Sequence, residues 1–125
     1  MNENEIGCLV VDSAIALHRE LGPGLLESVY EVTLREELRA RGMEVERQVP
    51  IALVYRGIRF DEGFRLDLRV ASKVILEIKS VEKIVDSHKK QLLTYLKMTE
   101  CKLGYLLNFG EPLMKNGIVR VVNDL

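Results

Sequence analysis

The sequence predicts a mixed α/β (α+β) domain, helices against a mixed β-sheet, in the order α-α-β-β-β-α-β-β. Three observations predict it. Apolar residues recur at three-and-four spacing in two N-terminal stretches and one later stretch. Between these lie runs in which apolar and charged residues alternate, the period of a half-buried strand. Gly22-Pro23-Gly24, Gly42 and Arg56-Gly57 punctuate the boundaries.

The first helix is expected over 4–20, where Ile6, Leu9, Val10, Ser13, Ala14 and Leu17 mark one buried face. Gly22-Pro23-Gly24 ends it, since Gly supplies a C-cap and Pro cannot continue the helix. A second helix is expected over 25–41, with Leu26, Val29, Tyr30, Leu34 and Leu38 as its apolar stripe. Glu27, Ser28 and Glu31 load its first turns with groups that suit the helix dipole. Residues 44–55 read as a strand interrupted by Pro50, which marks an edge strand or a bulge. Strands at 58–70 and 74–79 follow. Then come a helix at 84–99, with Val85, Leu92 and Leu96 turned inward, a buried strand from Leu103 to Phe109, and a short strand from Ile118 to Val122.

Charge inside the central strands carries the functional signal. Leu66, Leu68 and Val70 alternate with Arg65, Asp67 and Arg69, and Val74, Leu76 and Ile78 alternate with Ile75, Glu77 and Lys79. Glu77 and Lys79 therefore stand on one face. With a three-residue turn at Ala71, Ser72 and Lys73, Val70 faces Val74 and Asp67 lies across from Glu77, about 4.5–5.5 Å away at Cβ. A two-residue turn would send Asp67 to the other face. In the first register two carboxylates and an ammonium share a small space, the donor set a Mg²⁺ ion takes up while keeping positions for water and phosphate.

Each feature also has a plain structural reading. Glu77-x-Lys79 reads equally as a cross-strand ion pair, and Glu100-x-Lys102 repeats the pattern where charges face water. Gln91 and Tyr95 share a helix face and read alone as a solvent-edge pair. Lys83, His88, Lys89 and Lys90 form either a solvated face or a phosphate contact. Glu27 alone reads as dipole complementarity, and His18 as a surface or packed histidine.

Length and composition bound the rest. With 125 residues the chain holds one modest domain, 1–125, without repeat, low-complexity tract or linker. Its 47% hydrophobic and 30% charged content fit a globular class. No run approaches the roughly 18 apolar residues of a membrane span, and the acidic Met1-Asn-Glu-Asn-Glu5 start differs from a signal peptide, so a cytoplasmic protein is expected. Cys8 and Cys101 are too few and too distant for a zinc pattern and are expected as free thiols. A net charge of −1 argues mildly against a dedicated nucleic-acid binder, but less against a site that grips phosphate through a metal.

Together, Gly24-x-x-Glu27-x-x-Tyr30, Asp67, Glu77-x-Lys79 and Gln91-x-x-x-Tyr95 closely resemble the GxxExxY family of the PD-(D/E)XK nuclease-like superfamily, over nearly the whole chain. The Gln-x-x-x-Tyr element looks like that of the RecB-type branch. The resemblance implies a restriction-endonuclease-like fold with an α-β-β-β-α-β core and Mg²⁺-dependent phosphodiester cleavage, with Mn²⁺ as a substitute ion. It implies Asp67 and Glu77 as metal ligands and Glu27 as a further ligand or water-positioning carboxylate. Lys79 would orient water or stabilise the transition state, and Gln91 and Tyr95 would orient the site or substrate. The expected function is thus a metal-dependent endo- or exonuclease acting on nucleic acid, DNA first, with room for a homodimer or protein partner. A nucleic-acid-binding accessory module with little cleavage is the alternative. A structural protein with a vestigial acidic site is disfavoured by intact Asp67, Glu77 and Lys79.

Overall fold

Asn2 starts α1 (Glu3–Leu21): its side chain accepts from the Glu5 amide at 2.8 Å, and the Glu5 carboxylate returns the bond to the Asn2 amide at 2.9 Å. The computed structural model describes residues 1–125 apart from the side chain of Glu62. After α1 come α2 (Glu27–Ala40), β1 (Val45–Tyr55), β2 (Ile58–Val70), β3 (Val74–Lys79), α3 (Asp86–Thr99), β4 (Leu103–Asn108), a 3₁₀ turn (Met114–Gly117) and β5 (Ile118–Val122). This is the expected order.

The five strands form one sheet in chain order, β1-β2-β3-β4-β5. All neighbours are antiparallel except β3 and β4, which run parallel with α3 as their crossover. β1 lies at the edge, and its register with β2 shifts between Ile51 and Leu53, next to Pro50. Both readings of that proline hold.

Two cores sit on opposite faces of the sheet. Ile6, Val10 and Leu17 of α1 and Tyr30, Leu34 and Leu38 of α2 pack on Leu68, Val70, Leu76, Ile78, Leu103 and Leu107. Leu92 and Leu96 of α3 pack on Leu66, Ile75 and Leu106. Gly104 lets α3 approach closely: a Cβ there would lie 3.0 Å from Leu92.

Three expectations about facing need correction. Leu26 and Val29 are 74% and 39% exposed, so the buried stripe of α2 begins only at Tyr30. Val85 precedes α3 and is 46% exposed, and Ile84 packs against the core in its place. Leu66 shares sequence parity with Leu68 and Val70 but joins the opposite core. The β1–β2 ladder pairs Arg47 with Leu68 and Val49 with Leu66, passing over Gln48 and Asp67 between them. Gln48 takes φ +54°, and at this point both strands turn their side chains to the other face. Val45 accordingly belongs to one core and Val49 to the other.

Candidate active site

The turn after β2 contains Ala71, Ser72 and Lys73, closed by a Lys73 N–H bond to the Val70 carbonyl at 3.0 Å. Val70 pairs with Val74 and Leu68 with Leu76. This is the register that puts Asp67 and Glu77 together. Past Leu68 the strands part, and side chains replace the ladder. Asp67 Oδ2 accepts from the Ile78 amide at 2.8 Å, while the Asp67 amide donates to Glu77 Oε2 at 3.3 Å. Each carboxylate is thus anchored on the other's strand, where β2 and β3 diverge.

Glu77 is 5% exposed. Its burial, and then the charge of Asp67, push its carboxyl up to about 9, against the opposing pull of Lys79. Two carboxylates held this way favour a proton or a cation between them. They are hard oxygen donors, and two of them suit a Mg²⁺ that keeps several waters. Among the described residues no three His, Cys, Asp or Glu side chains converge at one metal-sized point.

Lys79 ends β3 beside this pair. The strand end is fixed from β4: Lys79 pairs with Asn108, and its carbonyl accepts from the Phe109 amide at 2.9 Å. Buried Asn108 then clamps the next loop, accepting from the Val81 amide and donating to the Val81 carbonyl, both at 3.0 Å. The segment from Glu77 to Val81 is therefore held on both sides.

Glu27 opens α2 and its Oε1 accepts from the Ser80 amide at 3.2 Å, one residue beyond Lys79. The Ser80 hydroxyl donates to the Leu25 carbonyl at 2.9 Å. The Gly24-x-x-Glu27-x-x-Tyr30 pattern now has local causes. Gly24 takes φ +100°, a conformation that a side chain strains. The Tyr30 hydroxyl donates to the Gly22 carbonyl at 2.5 Å and accepts from the Leu25 amide at 3.1 Å, while its ring stacks on Phe109 at 4.4 Å. The turn is tied to the helix that follows it, and Glu27 is aimed at the end of β3.

On the other face, Tyr95 of α3 stacks on Phe64 at 4.4 Å. Burial and the charges of Glu77 and Asp67 raise its hydroxyl pKa, so it remains a neutral donor. Gln91, one turn earlier, is exposed. Of the basic group, Lys83, Lys89 and Lys90 are exposed, whereas His88 accepts from the Val85 amide at 3.1 Å and serves the start of α3. Glu100 and Lys102 face solvent as expected.

One acidic neighbour escaped the sequence reading. Glu31 is 5% exposed, pairs with Arg47, and accepts from Gln48 Nε2 at 2.9 Å and 3.1 Å. Burial raises its carboxyl pKa, and the charge of Asp67 adds to this. Its signal was the four-residue step from Glu27, which puts both on one helix face. What pointed away was its placement in an N-terminal turn, where dipole complementarity is sufficient reason for an acid.

Helices on both faces of a mixed sheet, with the carboxylates where two central strands part, define a restriction-endonuclease-like protein. A family model for the PD-(D/E)XK nuclease superfamily matches residues 4–121, and the chain belongs to that superfamily. No curated protein and no solved structure matches it. No helix is long and apolar enough to cross a membrane among the described residues. Cys8 and Cys101 are both free, the first exposed and the second buried.

Proposed function

We propose that this protein is a Mg²⁺-dependent nuclease that hydrolyses phosphodiester bonds in DNA. The observation that carries the reading is the mutual anchoring of Asp67 and Glu77 where β2 and β3 diverge, with Lys79 next along the strand. Asp67 and Glu77 would hold the ion, and Mn²⁺ suits the same oxygen donors. A bound ion would lower the pKa of a coordinated water and screen the phosphate oxygens.

This chain's own residues supply the rest. Lys79 places an ammonium beside the carboxylates, suited to stabilising negative charge that develops on phosphate. Glu27, fixed on the Ser80 amide, is assigned to position a water rather than to ligate directly. Tyr95 offers a neutral hydroxyl near both carboxylates, and exposed Gln91 on the same helix face can reach the substrate. Exposed Lys83, Lys89 and Lys90 would meet backbone phosphates, a local positive patch on a chain whose net charge is −1. Two free thiols are consistent with a reducing, cytoplasmic setting.

The test has two arms. Calorimetric titration of wild type with Mg²⁺ or Mn²⁺ should give saturable binding that Asp67→Ala removes. Single- and double-stranded DNA and RNA, each incubated with Mg²⁺, should show cleavage in the DNA lanes that Glu77→Gln abolishes. Metal binding together with nucleic-acid binding but no cleavage would favour an accessory module. Absence of metal binding would remove the nuclease reading.

A further inference from the structure

A second concave surface lies away from the carboxylates. It is a cleft of about 520 Å³ between the end of α1, the Gly22-Pro23 turn and the loop 112–115. It shares no lining residue with the Asp67–Glu77 pair. Two cations line it, Arg19 and Lys115, and among the described residues neither makes a salt bridge or a side-chain hydrogen bond. No acidic side chain lines the cleft to neutralise them. The remaining surface is mainly apolar: Ile15, Pro23, Pro112 and Leu113, with Met114 buried beneath. A site that joins unpaired cations to an apolar floor selects an anion that carries an apolar body.

The wall is also preformed. His18 is buried, its ring stacks on Phe109 at 6.0 Å, and Nε2 lies 2.8 Å from the Glu111 carbonyl. A carbonyl only accepts, so Nε2 donates. This bond ties the loop that carries Lys115 back to the helix that carries Arg19. The Tyr30 hydroxyl fixes the Gly22 carbonyl on the opposite side. The two cations therefore stand on elements already joined, which lowers the ordering cost of binding.

We propose that this cleft binds a nucleoside monophosphate, with the phosphate on Arg19 and Lys115 and the base against the surface of Pro23, Pro112 and Leu113. The volume is ample for one nucleotide, and the lining joins two cations to a largely apolar surface, as a phosphate joined to a flat ring requires. The occupant is either a free nucleotide or the phosphorylated terminal nucleotide of a strand. The chemistry recognised is the same. The inference goes beyond the proposed cleavage and stands independently of metal at Asp67 and Glu77.

The experiment is calorimetry on the full chain in EDTA, with adenosine monophosphate, adenosine and inorganic phosphate as separate titrants. Adenosine monophosphate should bind, and adenosine and phosphate should each bind at least about tenfold more weakly, since each keeps one half of the contacts. The double variant Arg19→Ala/Lys115→Ala should weaken the nucleotide by about tenfold or more. Leu113→Glu, at a wall position 55% exposed and so tolerant of charge, should do the same by repulsion. Glu77→Gln should leave nucleotide affinity unchanged. A 5′-phosphorylated oligonucleotide that competes better than its 5′-hydroxyl counterpart would identify a strand end as the source, and equal, weak competition would identify the free nucleotide. Undetectable binding at millimolar nucleotide, or binding that survives both cleft variants, would overturn the proposal. So would binding lost in Glu77→Gln, because the nucleotide would then sit at the carboxylates. Absence of cleavage by wild type in Mg²⁺, with nucleotide binding intact, would fault only the nuclease reading.

Discussion

Glu77 is the residue on which stability and catalysis pull apart. Its carboxyl, ordinarily at 4.5, is pushed up to about 9 in the folded chain by burial and by Asp67. Between those values the folded state holds more protons than the unfolded state. Glu77 therefore makes stability fall as pH rises through that interval. In EDTA, wild type should show a melting temperature that declines from the acidic to the alkaline end of the window. Glu77→Gln should flatten the decline and melt above wild type at the alkaline end, while losing Mg²⁺-dependent cleavage. A purely structural ion pair with Lys79 predicts the opposite, a lower melting temperature for Glu77→Gln across the window. Tyr30 makes the contrasting case of a site-adjacent residue held for structure. Tyr30→Phe removes the hydroxyl that serves both the Gly22 carbonyl and the Leu25 amide. Denaturant unfolding should show a loss of about 1–3 kcal/mol.

Among the elements, the contrast is between a pinned segment and a free arm. The segment from Glu77 to Val81 is held by Asp67, by Asn108 and by Glu27. Asn108→Ala would leave the Val81 amide and carbonyl without their partner. It should cost about 1–3 kcal/mol and reduce cleavage together with stability, because Lys79 shares that strand end. The far ends of β1 and β2, in contrast, extend as a hairpin. Its residues Leu53, Val54, Tyr55, Ile58 and Phe60 are all at least 40% exposed. Few buried contacts hold these strand ends, so they should open at low free energy. Amide hydrogen exchange should be fast at 53–60 and slow at 74–79 and 103–108, where every strand residue from Val74 to Ile78 and from Leu103 to Asn108 is buried. Uniform protection along β1 and β2 would mean that another surface covers the arm.

For the molecule as a whole, the sheet brings acids from separate elements into one field. After burial, the charge of Asp67 raises the carboxyl pKa of both Glu77 and Glu31, opposed by Lys79 at the first and by Gln48 and Arg47 at the second. A cation that binds only the folded state should add stability, about 2.7 kcal/mol at a concentration one hundred times its dissociation constant. Thermal unfolding should thus shift upward by several degrees when Mg²⁺ replaces EDTA. The shift should be absent from Asp67→Asn and Glu77→Gln. Equal melting temperatures with and without Mg²⁺ in wild type would argue that these acids are held for structure alone.

The chain's own sequence determined the element order and the strand positions, and narrowed the β2–β3 register to two, of which the three-residue turn selects the one that joins Asp67 to Glu77. Those features are local: a period of two or of three to four fixes which neighbours share a face, and the length of the Ala71–Lys73 turn fixes the pairing. The pattern of Gly24, Glu27, Tyr30, Asp67, Glu77 and Lys79 was legible for the same reason, as residue types at fixed spacings. Only the tertiary structure decided the rest. Leu66 changes face because Gln48 on a neighbouring strand takes a left-handed conformation at that point. Leu26, Val29 and Val85 stay exposed because the core takes up α2 only from Tyr30 and takes up Ile84 ahead of α3. Glu27 meets Ser80, and Glu31 enters the field of Asp67, through contacts that span many residues of chain. Periodicity reports the backbone's own geometry. Burial, charge coupling and hydrogen-bond partners depend on what the fold places opposite, and no local spacing encodes that.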